Sequence, residues 1–307
     1  MIRDHKTHVA GYVVELWNEG ALTDPSLKAY RIAVDSHDQE SWSKKLARFV
    51  RTPNSHQAEA LVVGAWWRGD YTDSEVVLRA LVRHATNLPK LRVLFIGDIT
   101  SEESEISWIT QTNMAPLFKA YPQLVYLGIR GTTYLRLQEM RLASLQTLAI
   151  ESSGIGQAVF EDLLLADLPQ LVNLELWAGP REHWDGTLNH LLPFVGGDAF
   201  PQLKRLAIRN CEITDAVVHA LVTSALYERL DHLDLSLGTL SDVGARALLD
   251  HPSTRRLKSL DVHHHFCTRP VQAELSALAA HGVHVVIDDA QLPHDWMDDG
   301  RYVAVGE

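Results

Sequence analysis

The stretch "LKRLAIRNCEITDAVVHALVTSALYERLDHLDLSLG", residues 203–238, begins and ends on the same phrase. "LKRLAIRNC" from Leu203 and "LDHLDLSLG" from Leu230 both read L-x-x-L-x-[LIV], 27 residues apart. The alternating part has the two-residue period of a strand with one buried face. Between the copies, "ITDAVVHALVTSALYERL" spaces its apolar residues as a helix does, with Thr214 and Asp215 as cap candidates. A strand and a helix repeated in one direction predict parallel strands joined by helical crossovers.

Working outward, the phrase recurs as "LRVLFIGDI" from Leu91, "LVYLGIRGT" from Leu124, "LQTLAIESS" from Leu145, "LVNLELWAG" from Leu171 and "LKSLDVHHH" from Leu257. The spacings between first leucines are 33, 21, 26, 32, 27 and 27 residues. "AEALVVGAW" from Ala58 and "HVVIDD" (284–289) are weaker copies at either end. No such unit can bury its apolar face alone, so neighbours must stack. Most intervening segments predict helices: 72–88 with a Thr72/Glu75 capping box, 241–251 opening on Ser241 and Asp242, and 269–282 with Pro270 at its start and Gly282 past its end. The 21-residue unit has no room for one, so "TTYLRLQEMRLAS" (132–144) should cross as a loop. Residues 1–56 match the phrase poorly and read as an N-terminal cap region. There "YRIAVD" (30–35) predicts a strand, and "SWSKKLARFV" (41–50) a helix with Trp42, Leu46 and Phe49 on one side. The organisation expected is one continuous domain: cap 1–56, repeats 57–289, and a C-terminal edge and tail 290–307.

With these repeats in view, the chain resembles the leucine-rich-repeat proteins, of the long ribonuclease-inhibitor-like type. The segment "LFIGDITSEESEISWITQTNMAPLFKAYPQLVYLGIRG" (94–131) resembles a bacterial leucine-rich-repeat family with no established activity. The resemblance implies an α/β solenoid, a horseshoe with parallel strands on the concave face and helices on the convex face. By fold-level analogy it also implies a protein partner on the concave face.

Composition narrows the function. The 307 residues are 46% hydrophobic and 22% charged with a net charge of −11, which argues against nucleic acid and anionic membrane as partners. Two cysteines, no signal-peptide pattern and no long apolar run point to a soluble cytoplasmic protein. There is no G-x-x-x-x-G-K, G-x-G-x-x-G, H-E-x-x-H or C-x-x-C, and "SSGIG" (152–156) lacks the order of a nucleophile elbow. No catalytic residue and no cofactor is expected.

The repeat frame turns Phe95, Tyr126, Arg130, Glu151, Glu175, Trp177, Arg205, Arg209, His232, Asp234, Asp261 and His263 toward the concave side. Aromatic and arginine side chains in such a row suggest a binding surface centred on Trp177. The plainer reading is a set of cross-strand ion pairs, Glu151 or Glu175 with a neighbouring arginine. A second candidate is an acidic rim loop of Asp98, Glu102, Glu103, Glu105 and Trp108. Its plainer reading is a solvated loop with a Thr100–Glu103 cap and Trp108 as anchor. "PREHWDG" (180–186) reads as a loop anchored by Trp184. The triplet His263–His265 invites a metal reading, a metal-dependent enzyme or accessory protein built on the His/Asp cluster at 232–265. The frame instead sends His263 to the concave side, His264 into the turn and His265 inward, so no metal site is expected.

Overall fold

Each leucine phrase becomes a short parallel strand whose leucines line up with those of its neighbours. The computed structural model describes residues 2–35, 38–67, 72–294 and 300–306. They form two units, Ile2–Glu151 with Leu165–Gln170, and Ser152–Leu164 with Leu171–Glu307.

The first unit runs β1 (His8–Val9), β2 (Tyr12–Leu16), β3 (Lys28–Ile32), α1 (Trp42–Phe49), β4 (Ala60–Val63), α2 (Glu75–Arg83), β5 (Val93–Ile96), α3 (Ala115–Ala120), β6 (Tyr126–Arg130) and β7 (Thr147–Glu151). β1 and β2 form an antiparallel hairpin, and β2 through β7 are parallel in chain order. Leu61, Leu94, Leu127 and Leu148 stand side by side in register, all fully buried. Each contributes roughly 1.5–3 kcal/mol by leaving water. Residues 1–56 do more than close an end, because β2 and β3 extend the parallel sheet itself. The 21-residue unit has no helix. Its loop is tied by bridges of Thr110 to Thr133, Asn113 to Arg136, and Arg141 to Asp167.

The second unit runs α4 (Gln157–Leu164), β8 (Asn173–Gly179), α5 (Leu188–Gly196), β9 (Arg205–Cys211), α6 (Thr214–Val222), β10 (His232–Asp234), α7 (Asp242–Asp250), β11 (Ser259–Asp261), α8 (Arg269–Ala277) and β12 (His284–Val286). Leu174, Leu206, Leu233, Leu260 and Val285 form its ladder.

Ser241 caps α7 as expected, accepting the Val243 N–H, but other caps differ from expectation. α2 starts at Glu75, whose N–H bonds to the Asp73 carboxylate, and the Thr72 carbonyl accepts the Trp66 indole N–H. Asp215 and Asp242 hold the next helix along rather than their own. Asp215 accepts the N–H groups of Ser241 and Gly244, and Asp242 accepts the N–H of Thr268. Both links span a repeat, a coupling that a search for local caps does not see.

Candidate interaction surfaces

The face of the sheet opposite the leucines differs between the two units. In the first it carries a buried ion network. Arg31 on β3 donates from Nε to Asp98 Oδ2 at 2.8 Å, and Arg130 on β6 donates from Nε to Glu151 Oε2 at 2.8 Å. Arg130 Nη1 also bonds the Ile99 carbonyl at 2.8 Å, and Arg31 Nη2 the Asp98 carbonyl at 2.9 Å. Segment 2–6 lies over this network: Lys6 Nζ meets Glu151 Oε1 at 2.5 Å, and the Lys6 N–H bonds Asp98 Oδ1 at 3.0 Å. Burial alone would raise the Glu151 pKa, but the charges of Arg130 and Lys6 outweigh it and hold the carboxyl down at about 2.

Beneath the segment Phe95 is fully buried, against Val9, Val62 and Val93. The ring lies flat across β6 because Gly128 has no side chain: a Cβ there would stand 2.3 Å from a Phe95 ring carbon. Phe95, Arg130 and Glu151, read from sequence as an accessible surface, are therefore covered by the chain itself. Tyr126 stays half-buried.

The acidic loop is split in the same way. Asp98 is fully buried in the network, while Glu102 is exposed. Glu103 accepts the Thr100 N–H at 2.8 Å, as the cap reading required, and lies 3.6 Å from Arg31. Glu105 is half-buried. Trp108 is 57% exposed and does not anchor the loop. Ile106 and Ile109 are buried there instead.

In the second unit the corresponding face is open from β9 to β11. Arg209 is held from three sides: Nη1 to Glu175 Oε1 at 3.1 Å, Nε to Ser236 Oγ at 2.8 Å, and Nε 3.4 Å from Asp234 Oδ2. Its guanidinium lies 4.9 Å over the Trp177 ring, and Trp177 donates its indole N–H to Glu175 at 2.7 Å. Trp177 is thus a buried floor with Arg209 on top, not an exposed centre. Around it Arg205 is exposed, and His232, Asp234, Asp261 and His263 are half-buried. His232 Nδ1 is 2.7 Å from Ser259 Oγ, and His263 pairs with Asp261 at 2.7 Å. Both cross-strand pairs anticipated for Glu151 and Glu175 are formed.

A crystal structure of a protein from Bacteroides fragilis aligns with this fold at a TM-score of 0.76, covering 82% of this chain and 71% of that one, with 30% sequence identity. The chain belongs to the same family as that protein. No family model matches the sequence, and no curated protein matches it. The family relationship supplies the fold, so what the surfaces do rests on their own chemistry.

That chemistry does not converge on a metal. His263 bonds Asp261, His264 turns in at positive φ toward the Gly238 carbonyl, and His265 is buried between the Cys267 N–H and the Ile287 carbonyl. Among the described residues no three His, Cys, Asp or Glu side chains are grouped to hold an ion. Burial pushes the Cys211 and Cys267 thiols up to about 12, so neither is a thiolate at neutral pH. In "PREHWDG", Trp184 packs on Phe160 as an anchor, and His183 and Glu182 are exposed. Among the described residues no helix is long and apolar enough to cross a membrane.

The hydrogen bond that the His263 Nδ1–H donates to Asp261 raises the His263 pKa above 6.5, with burial opposing. A raised histidine stabilises the fold fully below about 6.5, and that contribution is lost as pH climbs through the folded value. Asp261→Asn is expected to return the His263 titration, followed by NMR, toward 6.5. An unmoved titration would mean the pair is not formed.

Proposed function

We propose that the chain is a non-enzymatic, cytoplasmic leucine-rich-repeat scaffold or regulator that binds a protein partner on the concave strand face of its second unit. The observation that carries this is the accessible face of β9–β11. There Arg209 is fixed over Trp177 by Glu175, Ser236 and Asp234, and Arg205, His232, Asp261 and His263 surround it. An arginine already locked in place loses little side-chain freedom on binding, and arginine over tryptophan is a common binding hot spot. The mixed charges suit a partner surface with both signs, and parallel strands in a solenoid give it an extended footprint. Repeats of the L-x-x-L-x-L type support the leucine-rich-repeat assignment.

Arg205 tests the surface because it is exposed and stands outside the Arg209 cluster. Capture of partners from native cytosol is expected to fall about tenfold with Arg205→Glu and to persist with Arg246→Glu on α7. Equal recovery with both variants would remove the strand face as the site.

A further inference from the structure

Segment 2–9 covers the face of the first unit that carries Phe95, Arg130 and Glu151, while burying little of itself. Arg3, Asp4, His5, Thr7 and His8 are exposed, and only Val9 is buried. Val9 joins the core against Phe95 and pairs with β2, while the hold of residues 2–6 is polar. The Ser101 N–H bonds the Ile2 carbonyl at 2.7 Å, the Lys6 N–H bonds Asp98, and the His5 ring nitrogen Nδ1 lies 3.1 Å from Arg31 Nη2. Two of these contacts use main-chain atoms, which any extended segment could supply. Two side chains add to these, His5 beside Arg31 and Asp98, and Lys6, which reaches deepest. Its ammonium sits between the buried Glu151 carboxylate and the Phe95 ring, 4.9 Å from the ring centroid. A carboxylate facing an aromatic ring is the chemistry that recognises an ammonium group. With Lys6 withdrawn, Glu151 keeps Arg130 as a partner and Asp98 keeps Arg31, so the face would remain largely paired.

We propose that the face beneath segment 2–9 is a recognition site for an extended protein segment presenting a lysine ammonium to Glu151 and Phe95, and that segment 2–9 is its built-in competitor. A partner segment displaces the strap by placing its own lysine where Lys6 sits. This site is independent of the second-unit surface proposed above.

The test uses the full chain carrying Lys6→Glu, which sets a carboxylate against Glu151 and weakens the strap. The probe is a fluorescein-labelled peptide of residues 2–9, IRDHKTHV, followed by fluorescence anisotropy. It is expected to bind the variant at least about tenfold more tightly than the wild-type chain. A peptide with methionine in place of its lysine is expected to lose that binding. Equal binding to both chains, or by both peptides, overturns the proposal. If Lys6→Glu does not fold, hydrogen exchange on the wild-type chain decides. The Lys6 and Ser101 amides should exchange roughly 100-fold faster than those of Phe95 and Ile129, as local opening of a strap requires. Equal protection overturns the proposal.

Discussion

Asp98→Ala is expected to destabilise the first unit by about 3–5 kcal/mol, the usual cost of removing one partner from a buried ion pair. The Asp98 side chain is fully buried. One oxygen takes Arg31 Nε, and the other takes the Lys6 N–H with Arg130 Nη1 at 3.8 Å. Its loss leaves two buried arginines, Arg31 and Arg130, with Glu151 as the remaining buried carboxylate of the network. Asp98→Asn keeps the acceptor and the volume and removes only the charge, so its loss should be smaller. Urea unfolding of both variants measures the order. Equal, small effects for both would mean the network is not buried as described. Mild acid should leave the Arg130–Glu151 pair in place. The Glu151 pKa is depressed, so its contribution is complete above the unfolded value near 4.5 and is lost only as pH falls toward about 2.

Gly179→Ala is expected to cost at least about 3 kcal/mol, seen as a large fall in Tm. Gly179 ends β8 at φ +93°, a region glycine occupies freely and alanine does not. A Cβ there would stand 1.9 Å from the Ser153 carbonyl oxygen and 2.5 Å from the Gly154 Cα, so main chain would have to move. Gly154 is equally confined, with the His183 carbonyl oxygen 2.1 Å from its would-be Cβ. The same junction holds the Trp177 carbonyl through Ser152 Oγ at 2.9 Å, so the damage should reach the floor beneath Arg209. Gly196→Ala is the control: its would-be Cβ meets nothing nearer than 3.9 Å, and little or no loss is expected. Matching losses at both positions would mean the close approach at Gly179 is not real.

The leucine ladder was readable because a two-residue alternation repeated at near-constant spacing has one economical solution, parallel strands stacked in register. The same frame sends His263, His264 and His265 on three different courses, and each follows its own. Its plainer alternative, Glu151 or Glu175 paired with a neighbouring arginine, is met by Arg130 and Arg209 on adjacent strands.

What it could not show was cover. Phe95, Arg130 and Glu151 do point away from the leucines, but segment 2–9 lies over them, and no local period records a chain folding back over residues as far on as Glu151, 145 positions from Lys6. The Ala10–Gly11 turn, with φ of +48° and +85°, is the one local signal of that reversal. Trp108 misled for the opposite reason. A tryptophan among acids reads as an anchor, yet Ile106 and Ile109 fill that place. Asp215 and Asp242 were read as caps for their own helices, and their actual partners lie a full repeat away.

Hydrogen exchange of the chain with its captured partner tests the interaction surface most directly. Protection is expected at 205–209, 232–236 and 259–263, the open strand face of the second unit, with α7 and α8 unchanged. Protection confined to those helices, with the strand face exchanging as in the free chain, would contradict the account.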